Sequence, residues 1–86
     1  MNTKQKKVLK EIFAQPTRAN LAWKEIESLL AALGAEMEEG NGSRVRIALN
    51  GIRTVFHRPH PRREAGKGTV ESVRDFLIEA NISPEQ

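Results

Sequence analysis

The chain has 86 residues, with 14 Lys plus Arg against 11 Asp plus Glu and a formal net charge of +3. That length supports one domain with a modest core and leaves little surplus for an elaborate buried pocket. The lack of cysteine excludes disulfide staples and thiolate metal sites, and no apolar run approaches the roughly 20 residues of a membrane span.

Near the N-terminus, Val8, Leu9, Ile12 and Phe13 recur at helical spacing and predict a helix within residues 1–15. Its Lys4, Lys6, Lys7 and Lys10 read either as a solvated face or as an extra contact to RNA or a partner. The lysines are not followed by a signal-peptide apolar region, so export is not expected and a cytoplasmic location is. Pro16 ends this segment, and Asn20 is the expected cap of the next helix. There Ala22, Ile26, Leu29, Leu30 and Leu33 form a continuous apolar face, with Trp23 beside it in a core or helix-packing role. Gly34 is a natural terminator because it tolerates positive φ.

Ala35 to Glu39 alternates apolar and acidic residues, the pattern of a half-buried strand. A three-residue turn at Gly40-Asn41-Gly42 would set Met37 opposite Val45, Glu38 opposite Arg44 and Glu36 opposite Arg46. Asn50-Gly51 is a type I′ hairpin signal. Folding there pairs Leu49 with Ile52, Ile47 with Thr54 and Val45 with Phe56 on a buried face. The opposite face then pairs Ala48 with Arg53, Arg46 with Val55 and Arg44 with His57. Pro59 and Pro61 stop the strand after His57. Gly68-Thr69 announces a last helix, with Thr69 as expected cap and Val70, Val73, Leu77 and Ala80 as its apolar face, supported by Phe76 and Ile82. The tail Ser83-Pro84-Glu85-Gln86 is expected to be solvated, and neither a repeat nor a second domain is visible. The fold class is therefore α+β in a single domain, 1–86.

The basic residues are concentrated rather than spread. Between Arg44 and Lys67 lie seven Arg or Lys residues (Arg44, Arg46, Arg53, Arg58, Arg62, Arg63 and Lys67) and one acid, Glu64. Such a field attracts phosphate, and RNA is the leading anion. RNA cleavage without a metal needs a group that takes the ribose 2′-proton, a group that protonates the leaving 5′-oxygen, and cations for the transition-state charge. Histidine suits proton transfer, with a reference pKa of about 6.5. Arginine clamps phosphate but holds its proton. His57 and His60 are thus the candidate acid and base, and the seven cations the candidate substrate contacts. Each histidine also reads as an ordinary surface residue, and Arg44 as one half of an exposed ion pair with Glu38. Glu36, Glu38, His57 and His60 lack the compact spacing of a ligand set, so no metal or other cofactor is expected.

From Trp23 to Ile82 the chain resembles the HicA-family toxins of bacterial toxin–antitoxin systems. The resemblance rests on Leu33-Gly34, Gly42-Ser43, the basic hairpin, Pro59 and Pro61 around His60, and Gly68-Thr69, in that order and spacing. It implies a fold similar to double-stranded-RNA-binding domains: a three-stranded antiparallel sheet with helices on one face. The family core would span 20–82, with 1–15 an added N-terminal helix. It also implies ribosome-independent cleavage of mRNA and a HicB-like antitoxin partner, with neither DNA nor membrane binding. Family members usually place a catalytic histidine directly after or near the glycine-serine pair, where this chain has Arg44. His57, opposite Arg44, can supply an imidazole near the same place, and His60 approximates the histidine of the proline-flanked segment. Three readings stand side by side: an endoribonuclease toxin, an RNA-binding relative with weak or no nuclease activity, and a structural partner protein.

Overall fold

A computed structural model describes residues 1–85; of the expected solvated tail, Gln86 lies outside the described residues. Along the chain run α1 (Thr3–Phe13), β1 (Leu21–Ala22), α2 (Trp23–Ala32), β2 (Glu36–Glu39), β3 (Arg44–Leu49), β4 (Ile52–His57), β5 (Glu64–Ala65) and α3 (Lys67–Glu79). Strands β2, β3 and β4 form one antiparallel sheet in that order, and β1 pairs with β5 in a separate two-stranded one. Among the described residues, no helix is long and apolar enough to cross a membrane.

The β3–β4 hairpin forms as its turn residues dictate. Asn50 and Gly51 take φ of 50° and 82°, the left-handed pair that a type I′ turn requires. All six expected cross-strand pairs follow, from Leu49 opposite Ile52 to Arg44 opposite His57. Val45, Ile47, Leu49 and Phe56 are buried, while Arg44, Arg46, Arg53 and His57 are exposed. The turn is also anchored: Asn50 Nδ2 donates to the Ala80 carbonyl at 2.8 Å, satisfying an acceptor at the end of α3.

The β2–β3 register differs from expectation by two residues. Met37 lies opposite Ile47, Glu38 opposite Arg46 and Glu36 opposite Ala48. The loop consists of Asn41, Gly42 and Ser43: Gly40 donates to the Arg44 carbonyl at 2.9 Å, and the left-handed Gly42 (φ 64°) sits inside the loop. Ser43 lies in the loop on the β2 side, while its carbonyl accepts from the Arg58 N–H at 2.9 Å on the β4 side. A shift of two preserves the alternation of faces, so Met37 still packs against the core while Glu36 and Glu38 stay exposed.

Two expected helix caps are replaced by tertiary contacts. Asn20 has φ 64°; its N–H donates to the Ala65 carbonyl at 2.9 Å, and its side-chain oxygen accepts from Arg62 at 2.9 Å. Ala22 is the cap residue of α2, and the Trp23 N–H is satisfied by the Arg63 carbonyl at 2.9 Å. Thr69 lies within the first turn of α3, whose cap residue is Gly66, because the β1–β5 pairing ends one residue earlier. Gly34 does terminate α2, at φ 97°, with its own N–H and that of Ala35 bonded back to Ala31 and Leu30.

One core joins the sheet to all three helices. Ile26, Leu29 and Leu30 of α2 and Val70, Val73 and Leu77 of α3 are buried together with the inner face of the hairpin. Phe56 links the layers through edge-on contacts to Trp23 (centroids 5.8 Å) and Phe76 (6.1 Å). Helix α1 begins with a capping box between Asn2 and Gln5 and adds Val8, Leu9 and Ile12 to the same core. Its last carbonyls are held from α3: Arg74 donates to the Ile12 and Ala14 carbonyls at 2.9 and 3.3 Å.

Replacing Asn50 by Gly tests the anchor separately from the turn, since glycine accepts the left-handed conformation but cannot reach Ala80. The loss is expected to be about 1 kcal/mol, or a fall in Tm of roughly 4–8 °C for a domain of this size. Thermal unfolding monitored by circular dichroism measures it, and amide chemical shifts of β3 and β4 should report an unchanged register.

Candidate nucleic-acid interface

The outer face of the three-stranded sheet is an ordered grid. Register alone places Glu36, Ala48 and Arg53 in one row, Glu38, Arg46 and Val55 in the next, and Gly40, Arg44 and His57 in the third. Because Arg58 N–H bonds to the Ser43 carbonyl, residues 43 and 58 are a hydrogen-bonded pair. Alternation then makes Arg44–His57, Arg46–Val55 and Ala48–Arg53 non-hydrogen-bonded pairs, the kind with Cα atoms about 4.5 Å apart and side chains closest together.

Arg44 is the least encumbered cation of this face. The shifted register delivers its expected partner Glu38 to Arg46 instead, across 3.5 Å and well exposed, where such a pair is worth little. On its other flank stands Gly40, which has no side chain; a Cβ there would come within 3.1 Å of the Arg44 Cβ. Among the described residues, the side chains of Arg44, His57 and Arg53 make no hydrogen bond or ion pair, which leaves their polar atoms open to a ligand.

Arg58 is placed otherwise. One residue beyond His57 the side chain points to the inner side of the sheet, where Nε donates to Glu27 of α2 at 2.7 Å and the two terminal nitrogens hold Glu39 of β2 at 2.6 and 2.9 Å. Glu27 also accepts from the Trp23 indole N–H. The hydrogen bonds from Arg58 hold the Glu39 carboxyl below its ordinary range, and the two carboxylates raise the already high pKa of the guanidinium. Its charge is thus matched within the fold, and the same residue ties together α2, the end of β2, Ser43 and the end of β4 around the Arg44–His57 pair.

The remaining candidates lie along the loop that leaves the sheet. His60 is exposed in that loop, three residues past His57. Arg62 donates to Asn20, the Arg63 carbonyl receives the Trp23 N–H, and Lys67 opens α3, so this basic run passes beside the start of α2. Glu36, Glu38, His57 and His60 are not gathered: the β3 arginines stand between β2 and β4, and no metal-sized group of three His, Asp or Glu occurs among the described residues. Glu27 and Glu39 were invisible as partners of Arg58, since they lie 31 and 19 residues away in sequence. The role of Gly40 was not read from the sequence, which placed it inside the turn rather than opposite Arg44.

Residues 23–82 match the family described as HicA toxin of bacterial toxin-antitoxin. No curated protein and no solved structure matches the chain.

Substituting Arg58 by Ala should therefore lower stability, by on the order of 1 kcal/mol after allowing for partial solvent screening, whereas Arg44→Ala should leave it nearly unchanged. Chemical denaturation of the two variants decides this. Glu39, with its folded pKa lowered, contributes stability above the ordinary carboxyl range and loses it as pH falls through the folded value. The urea midpoint should accordingly fall below about pH 4, and Glu39→Gln should flatten that dependence.

Proposed function

The chain belongs to the HicA toxin family, and on that premise we propose that it is the toxin of a type II toxin–antitoxin pair: an endoribonuclease that cleaves mRNA by attack of a ribose 2′-hydroxyl, without a metal. The observation that carries this reading is the exposed pair of Arg44 and His57 on adjacent strands, with no partner for either side chain among the described residues.

The phosphate sits on Arg44, with Arg46 and Arg53 extending the cationic track along the sheet. His57 and His60 divide the proton transfers. One imidazole accepts the proton of the 2′-hydroxyl as that oxygen forms a bond to phosphorus; the other donates a proton to the 5′-oxygen as its bond to phosphorus breaks. The products are a 2′,3′-cyclic phosphate and a 5′-hydroxyl end. Arg44 stabilises the charge that builds on the non-bridging oxygens but does not itself move a proton. Arg58 acts from behind, fixing the end of β4 so that His57 stays beside Arg44; Arg62, Arg63 and Lys67 guide the RNA where it leaves the sheet. A HicB-like antitoxin inhibits by covering this same face in the cytoplasm.

One specific feature favours a second reading, an RNA-binding protein without nuclease activity: arginine stands directly after Gly42-Ser43, where the family usually has its histidine. Incubating the purified, antitoxin-free protein with RNA in the presence of a chelator separates the two. We expect cleavage that leaves 5′-hydroxyl ends and that falls about 100-fold or more in His57→Ala, the scale of a lost acid or base, with folding intact by circular dichroism. Binding without any cleavage by the wild type would establish the second reading instead.

A further inference from the structure

Two carboxylates on a face suited to RNA call for an explanation, because Glu36 and Glu38 repel phosphate. They border an open hollow over the sheet, lined also by Arg46, Ala48, Arg53 and Val55. Its floor is apolar: Val55 is 49% exposed, although Phe56 beside it on the other side of the strand is core. Its walls differ in sign, with acids on β2 and cations on β3 and β4. Glu38 is loosely occupied by Arg46 at 3.5 Å, while Glu36, opposite Ala48, has no side-chain partner among the described residues. A phosphate would avoid the β2 wall; a planar, apolar group with N–H donors on one edge would fit it.

Resting on the RNA reading above, we infer that this hollow is a nucleobase subsite, in which a base lies over Ala48 and Val55 and donates its exocyclic amino group to Glu36, with Glu38 as a second acceptor. The substrate class is RNA bearing cytosine, adenine or guanine at that position, since uracil alone offers no exocyclic amino group. The dimensions agree. Strands lie 4.7–4.9 Å apart, so roughly 10 Å separates the β2 and β4 rows, room for a base whose edge meets β2 and whose ribose and phosphate follow β4 past Arg53. Same-face residues repeat about every 7 Å along a strand, so the rows holding Glu38 and Glu36 lie about 7 and 14 Å from the Arg44–His57 row. The recognised base therefore lies one or two rows of the sheet away from the bond to be cut, and the carboxylates give the toxin a preference that its arginines, as phosphate ligands, do not supply.

Binding of 2′-O-methyl oligocytidine and oligouridine, whose 2′-oxygen cannot attack, tests this by fluorescence anisotropy on the full chain. Wild type should favour oligocytidine by roughly three- to tenfold, the scale of one net hydrogen bond, and Glu36→Ala should bring the ratio close to one. A carboxylate that merely repels phosphate gives the opposite signature: Glu36→Ala tightens both oligomers by the same factor and leaves their ratio alone, which overturns the subsite. A ratio near one in the wild type overturns it as well, while RNA binding itself survives. If neither oligomer nor unmodified RNA binds even at low salt, the RNA reading falls and the subsite with it.

Discussion

The conformation of two residues governs the layout of this molecule. Once Asn50 and Gly51 adopt their left-handed dihedrals, the pairing of β3 with β4 is fixed, and with it which side chains enter the core. A slip of one residue would exchange Val45, Ile47 and Leu49 for Arg44, Arg46 and Ala48 at the interface with the helices. The penalty would fall on the whole core, because Phe56 joins the sheet to Trp23 and Phe76. The bond from Asn50 to Ala80 adds a positional constraint to the conformational one, pinning the hairpin tip to the end of α3.

From that register the exposed face follows, and its chemistry depends as much on what is missing as on what is present. Gly40 clears one side of Arg44, and the β2 pairing assigns Glu38 to a different arginine. Meanwhile the cation nearest to His57 in sequence, Arg58, is engaged by Glu27 and Glu39 on the opposite side of the sheet. Alternation along a strand thus sorts two consecutive basic residues into separate duties: one side faces solvent and ligand, the other holds the framework.

The parts legible in the sequence are those set by local rules. The type I′ dipeptide, the alternating pattern of β3 and β4, and the glycine stop of α2 each act over a few residues, and each appears as read. The β2 register was harder, because Gly40-Asn41-Gly42-Ser43 contains two glycines and either of two turn centres preserves the alternation of faces. Asn20 looks like a cap, but the Arg63 carbonyl takes the Trp23 N–H in its place, and Thr69 is passed over because α3 already begins at Lys67. Of the candidate site, the Arg44–His57 neighbourhood was readable from the hairpin. The engagement of Arg58 was not, since its partners come from two other elements and carry no periodic signal.

Arg74 and the apolar stripe of α1 tie elements far apart along the chain into one unit. Helix α1 rests on both α2 and α3, burying Val8, Leu9 and Ile12, and α3 caps the carbonyls of Ile12 and Ala14 through Arg74. Contacts so distant along the chain are costly to close early and are gained together. Without α3, the apolar faces of α1, α2 and the hairpin would lose a common cover, so the integrity of this domain is shared among elements rather than held by any one of them.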